Sequence, residues 1–164
     1  MNNMKRTLFI SLMIVLSSVF AVFSPPEKAQ AQRAKAGFTR ENIIQQPIYS
    51  DYKGVRLGMT AAEARAKLGT PAIKDNEQDY YIFSDRETAQ IVYDAAGKVI
   101  TISVDYLGGV GAPDPRTVVA GDLEETVNGN LYRIVHYQSQ GFWVSYNRSA
   151  GPVVMVTITL QKMK

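Results

Sequence analysis

The side chains that could do chemistry are few in this chain, and their spacing does not converge on one reaction. His136 is the only histidine and no cysteine occurs in the 164 residues. Thiol nucleophiles, thiolate metal sites and multi-histidine zinc sites are therefore excluded by composition. A Ser-His-Asp arrangement would need His136, inside the strand-like run Leu131 to Tyr137, to meet a serine, and no serine has a nucleophile-elbow setting. His136 reads as a surface or half-buried strand residue. Asp75, Glu77 and Asp79 begin with the spacing of a calcium loop. Tyr80 stands where that loop needs Gly and Arg86 where it needs a bidentate Glu, so the stretch reads as a solvated acidic loop. Gly108-Gly109-Val110-Gly111 lacks the flanking elements and the Lys of a phosphate loop. Asn147-Arg148-Ser149 matches a glycosylation sequon and reads as a turn. No catalytic set, no metal site and no cofactor follows from these residues.

Aromatic side chains are the remaining candidates for function, through binding. Nine Tyr, six Phe and one Trp are concentrated on strand-like runs. Trp143, Tyr81 and Tyr137 are the candidate protein-binding residues, because aromatics that stay exposed favour interfaces. For Phe142 to Tyr146, two arrangements are open. Either Phe142, Val144 and Tyr146 enter the core and Trp143 lies on the outer face, or Trp143 is core and Phe142 is covered by the N-terminal arm.

The elements that would position these residues can be read from capping and alternation. Thr60 and Glu63 form a capping box for a helix over Ala61 to Leu68, and Gly69 and Pro71 end it. Ala61, Ala64 and Leu68 share one face of this two-turn helix, which is too short to stand alone and must dock on the strands that follow. Strands are predicted at Tyr80 to Ser84, Thr88 to Tyr93 and Lys98 to Tyr106, with Asp94-Ala95-Ala96-Gly97 as a hairpin turn. In the third, Ile100, Ile102 and Val104 are expected on one face, and Thr101, Ser103 and Asp105 on the other. After a Gly/Pro-rich joint from Leu107 to Pro115, Asp114-Pro115 can start a helical turn through Val119. Leu123 to Val127 and Leu131 to Tyr137 flank Asn128-Gly129, a hairpin signal because both residues tolerate positive φ. Phe142 to Tyr146 and Val153 to Gln161 complete the meander. In the last, Val154, Val156, Ile158 and Leu160 share a face.

Residues 1–31 read as a signal peptide: Lys5 and Arg6, an apolar run from Leu8 to Phe23, and the cleavage site Ala29-Gln30-Ala31. Cleavage is expected after Ala31. Of 18 basic and 15 acidic side chains, Lys5, Arg6 and Lys28 with Glu27 belong to this leader, leaving 15 against 14. No charge run then suggests nucleic acid. The absence of cysteine also removes the acylated residue of a lipoprotein. Residues 32–53 read as a linker or arm whose Phe38, Ile43, Ile44 and Tyr49 pack on the domain or on a partner. Residues 54–162 read as a single domain.

Gly58-Met59-Thr60, Glu63-Ala64, Leu68-Gly69 and Pro71, followed by Tyr93-Asp94-Ala95-Ala96-Gly97-Lys98-Val99, resemble the SmpA/OmlA (BamE-like) family of envelope proteins accessory to outer-membrane barrel assembly. The likeness covers residues 54–106, with Tyr93 where the family pattern has Phe. The layout is also similar to the repeat unit of secreted β-lactamase-inhibitor proteins. Both resemblances imply a two-layer α+β sandwich, an antiparallel sheet with a short helix packed on one face. Val92 to Ile102 and Ser145 to Val156 each run from a tyrosine through a Gly-containing turn into a Val/Ile/Thr strand, which reads either as a degenerate tandem of a 54–106 unit and a strand-rich 107–162 unit or as two similar hairpins. The resemblances also imply an exported, periplasmic or extracellular module that binds other envelope proteins without catalysis. The alternative they imply is an inhibitor of an exported enzyme.

Overall fold

In the computed structural model, which describes residues 46–164, every strand pairs antiparallel with its neighbour in one sheet. The first half holds helix α1 (Ala61–Leu68), then β1 (Ile73–Lys74), β2 (Gln78–Ile82), β3 (Glu87–Tyr93) and β4 (Val99–Leu107). The second half repeats this order with helix α2 (Pro115–Val119), β5 (Glu124–Glu125), β6 (Leu131–Tyr137), β7 (Phe142–Arg148) and β8 (Met155–Lys162). The spatial order is β1-β2-β3-β4-β8-β7-β6-β5, so two four-stranded meanders meet through their last strands. The expected signal peptide and cleavage site, with Phe38, Ile43 and Ile44, lie outside the described residues.

The expected two-layer α+β sandwich is not what forms. The architecture is an eight-stranded antiparallel sheet with one eight-residue and one five-residue helix among the described residues. The reason is one of area. Helix α1 has a single fully buried side chain, Ala64, with Ala61 and Leu68 only partly covered. Two helical turns span about 12 Å, whereas eight strands at ~4.8 Å spacing are roughly three times as wide. Most of the cover over the buried face is instead irregular chain, with Tyr49, Tyr52, Val55, Leu57 and Met59 on one side and Ala112 and Leu123 on the other. None of the described helices is long and apolar enough to cross a membrane.

Strand alternation divides the sheet into an inner and an outer face. On the inner face Val144, Leu160, Ile102 and Ile91 lie side by side on β7, β8, β4 and β3, followed by the row Tyr146, Ile158, Val104 and Ala89. All eight are buried. β4 departs from simple alternation at its start. Tyr93 pairs with Val99 but Val92 pairs with Thr101, so Ile100 is an extra residue at a β-bulge. The extra residue changes parity, so Val99 joins Ile102 and Val104 in the core while Ile100 is only half-buried.

The two sequence motifs of the first half hold each other. Gly58 N–H donates to the Val99 carbonyl and Val99 N–H to the Met59 carbonyl, both at 2.8 Å, and Ala61 N–H donates to the Gly97 carbonyl at 2.9 Å. The segment that starts helix α1 is thus an added rung on the β3–β4 hairpin. The capping box is present, with Thr60 Oγ1 accepting from Glu63 N–H and Glu63 accepting from Thr60 N–H at 2.7 Å. Gly69 ends the helix with φ 86° and ψ −154°, a conformation outside the expected left-handed helical region.

The second half differs from expectation at its first hairpin. Thr126 N–H donates to the Asn130 carbonyl and Gly129 N–H to the Thr126 carbonyl. The loop therefore has three residues, with positive φ at Gly129 alone. β5 is confined to two residues, and most of β6 is left without a partner on that side.

The seam between the meanders sets the stability of the whole sheet. Ile158, fully buried on β8 between Tyr146 and Val104, is expected to cost about 2–5 kcal/mol when changed to Ala. Its outward neighbour Thr159→Ala is expected to cost no more than about 1 kcal/mol. Urea denaturation of the two variants checks the contrast, and equal losses would contradict the assignment of faces.

Candidate protein-binding face

The outer face can be built rung by rung from the register. One row across the sheet is His136, Trp143, Gln161, Thr101, Val92 and Gln78. The next is Ile134, Ser145, Thr159, Ser103, Gln90, Tyr80 and Ile73, and the third Tyr132, Asn147, Thr157, Asp105, Thr88 and Ile82. The centre is a ladder of hydroxyls and amides that satisfy one another. Ser103 and Thr159 hydroxyls lie 3.2 Å apart, Thr157 Oγ1 donates to Asp105 at 2.6 Å, and Gln90 donates to Gln78. Both ends differ from the centre: Ile73 and Ile82 are exposed at the β1–β2 end, and the β6–β7 end joins aromatic side chains to an exposed aliphatic one. Tyr132 is 39% and Ile134 48% exposed, His136 is exposed, and Trp143 is half-buried beside it.

Of the three aromatic candidates, only Trp143 reaches this face. Val144 and Tyr146 enter the core and Phe142 packs against it, which places Trp143 outward. The alternative with Trp143 in the core does not occur, because the strand's parity is taken by Val144 and Tyr146. Tyr81 and Tyr137 are 2% and 1% exposed on the inner face, so neither offers a surface to a partner in this fold. Tyr137 packs on Phe142 with ring centroids 5.2 Å apart and planes tilted by 32°, and its hydroxyl has no hydrogen-bond partner among the described residues. His136 lies across from Trp143 on the outer face. Ile134 and Tyr132, which complete the patch, were missed because isolated apolar residues in a strand carry no signal until the face is known.

Tyr81 belongs to a buried electrostatic cluster that was also invisible in sequence. Asp79, read above as part of a solvated acidic loop, is 0% exposed on the inner face of β2. Two hydrogen bonds from Arg65 of helix α1 reach it, Nε to Oδ2 at 2.7 Å and a terminal nitrogen to Oδ1 at 2.9 Å. Tyr93 donates its hydroxyl at 2.6 Å, and the Tyr81 hydroxyl stands at 3.5 Å. Burial pushes the Tyr81 hydroxyl up to about 12 and raises that of Tyr93, so both remain donors. The bond to Asp79 also raises Arg65 above its ordinary value. The Asp79 carboxylate is matched by Arg65 and Tyr93, and Arg65 also donates to the Asp75 carbonyl at 3.2 Å. The cluster docks the helix.

A second set of contacts anchors the chain before the helix. Tyr52 and Val55 exchange main-chain hydrogen bonds across a turn with positive φ at Lys53 and Gly54. The Tyr52 hydroxyl donates to Glu87 at 2.7 Å, and Lys53 pairs with the same carboxylate at 3.3 Å while lying over Phe83. Tyr49 and Tyr52 therefore pack on the domain. Among the described residues no group of three or more His, Asp or Glu is placed to hold a metal ion.

Comparison with protein-family models, with curated proteins and with solved structures returns no match.

Three variants check these assignments. Arg65→Ala leaves the Asp79 carboxylate buried without its cation and is expected to cost about 3 kcal/mol, the lower end for a broken buried pair because Arg65 is partly exposed. Arg65→Lys is expected to recover only part of that loss, since a single ammonium cannot reproduce the two-point contact. Tyr137→Phe removes an unpaired buried hydroxyl and is expected to leave stability unchanged or raise it by about 1 kcal/mol. Thermal unfolding of each variant gives the answer, and a large loss for Tyr137→Phe would mean that its hydroxyl has a function.

Proposed function

We propose that this chain is a non-catalytic, exported protein-binding module of the cell envelope, and that it binds through the β6–β7 end of its outer sheet face. The observation that carries the reading is the change of character along that face. An antiparallel sheet can leave one face in water, and such a face is normally polar by alternation. The centre obeys this rule with its hydroxyl ladder, whereas Tyr132, Ile134, His136 and Trp143 form an aromatic and aliphatic patch. Exposed apolar groups rimmed by polar ones are the ordinary composition of an interface centre, and Trp and Tyr are its usual anchors.

The resemblance of residues 54–106 to the BamE-like family favours an accessory role in outer-membrane assembly. A second reading, inhibition of an exported enzyme, is favoured by the width of the face. The seam between β4 and β8 makes one surface of two meanders, wider than a single four-stranded unit offers.

Immobilised chain exposed to envelope extract is expected to retain a defined protein partner: barrel-assembly components for the first reading, a single hydrolase for the second. Trp143→Ala is expected to weaken that partner's binding by about 2 kcal/mol, near thirty-fold, with Trp143→Phe restoring most of it. The melting temperature should change little. Because Trp143 is the only tryptophan, its fluorescence in the wild-type complex reports engagement directly. A partner held equally well by Trp143→Ala would sink the assignment of this face.

A further inference from the structure

The two edges of the sheet are finished differently. β2 is five residues long, and the chain around β1 occupies the outward groups of Gln78 and Tyr80, so that only those of Ile82 at its end lack a partner among the described residues. Ala72 N–H donates to the Tyr80 carbonyl at 2.8 Å and Asp75 N–H to the Gln78 carbonyl at 3.0 Å. β6 is seven residues long, and β5 pairs only with its first two, Leu131 and Tyr132. The parity of this ladder follows from its hairpin. Thr126 N–H donates to the Asn130 carbonyl, and Glu124 stands opposite Tyr132. Even-numbered residues of β6 thus aim their main-chain N–H and C=O toward β5, and odd-numbered ones aim theirs toward β7. Beyond Tyr132 the outward groups are those of Ile134 and His136, and they have no partner among the described residues.

Among the described residues no segment covers this edge beyond Tyr132, and the one inward charge is engaged elsewhere. Natural edge strands are usually guarded by Lys, Pro, a bulge or a covering segment. Leu131–Tyr137 contains no Lys, Pro or Gly and pairs with β7 in unbroken register. Its one cation, Arg133, is turned to the Val119 and Asp122 carbonyls at 3.1 and 3.2 Å.

We propose that the free edge of β6 accepts an extended segment of a partner polypeptide as an added strand, antiparallel to β6 and in line with β5. This rests on the protein-binding reading above and names the form in which the partner is held. Two N–H and two C=O groups repeating every second residue, about 6.8 Å apart, are matched by one ligand chemistry, another extended backbone. The segment spans about five residues, the free length from Arg133 to Tyr137. Its residues opposite Ile134 and His136 place their side chains on the outer face and their N–H groups toward β6. Apolar side chains there extend the patch of Tyr132, Ile134 and Trp143. Its C-terminal end meets exposed Glu124, which favours a basic residue. A second copy of this chain fits less well, because β5 of each copy would occupy the column beside the other's Gln138–Gln140 turn.

The probe is a blocked hexapeptide of alternating Val and Thr ending in Lys, titrated into the ¹⁵N-labelled whole chain. The amides of Ile134 and His136 are expected to exchange fast without peptide and at least ten-fold more slowly with it, while those of Val135 and Arg133 stay protected throughout. N-methylation at the Val residues is expected to abolish the effect, and N-methylation at the Thr residues to leave it. No slowing at Ile134 and His136, or equal slowing by both methylated peptides, overturns the proposal. So does a dimer that protects these amides without peptide, which would make the occupant a second copy. If the edge amides stay unprotected while Trp143→Ala still loses the envelope partner, the edge proposal alone fails. If the edge is protected but the partner ignores Trp143, the face assignment fails instead.

Discussion

The pairing of β4 with β8 is the constraint on which the rest of the molecule depends. Seven consecutive residue pairs, from Thr101–Gln161 to Leu107–Met155, join two meanders that are each closed by local hairpins. Local pairing alone would leave two four-stranded sheets, each with an open central edge. The seam instead places Ile102, Val104, Leu160 and Ile158 in mid-sheet, where each has apolar neighbours on both sides. It also makes the outer face continuous and leaves β6 as the longest open edge among the described residues. The core, the candidate interface and the added-strand site are thus consequences of one long-range contact between residues 48 to 60 positions apart.

Within the first meander, polar contacts supply the specificity that a short helix cannot. Helix α1 has little apolar area to dock, and it is held by three directional devices: its cap, the rungs from Gly58–Ala61 to Gly97–Val99, and Arg65 reaching the buried Asp79. A buried ion pair is a weak source of net stability but a demanding geometric condition, since an unpaired carboxylate at that depth is costly. Such a condition fixes the helix in one orientation on β2 and β3. Tyr81 and Tyr93 are drawn inward by the same carboxylate.

Several elements were legible before the structure. The boundaries of α1 and α2, the Asp94–Gly97 turn and the alternation of β8 follow from capping, turn chemistry and period-two patterning, all of which act within a few residues. The failures have physical causes too. The weight placed on the capped helix led to an expected sandwich, because capping reports that a helix forms and says nothing of how much sheet it covers. The parity of β4 was misjudged at Ile100, where a bulge depends on the partner strand. Asp79 looked solvated because its partner Arg65 lies fourteen residues away. Tyr81 and Tyr137 were expected at an interface, yet alternation assigns a residue only to one of two faces, and the fate of each face is decided by distant chain.

The sequence by itself determined much of the local vocabulary: the longer strands, though not β1 or the start of β2, where the first helix starts and stops, and that thiol and multi-histidine chemistry is absent. These follow from residue types and from interactions that span a turn or two. Only the tertiary structure decided that the strands form one eight-stranded sheet, that Trp143 faces outward while Tyr81 and Tyr137 are buried, and that the main chain of β6 beyond Tyr132 has no partner on its outer side among the described residues. Those outcomes depend on which strands meet across long loops. Pairing register and face burial are properties of the partner as much as of the strand, and no local pattern encodes the partner.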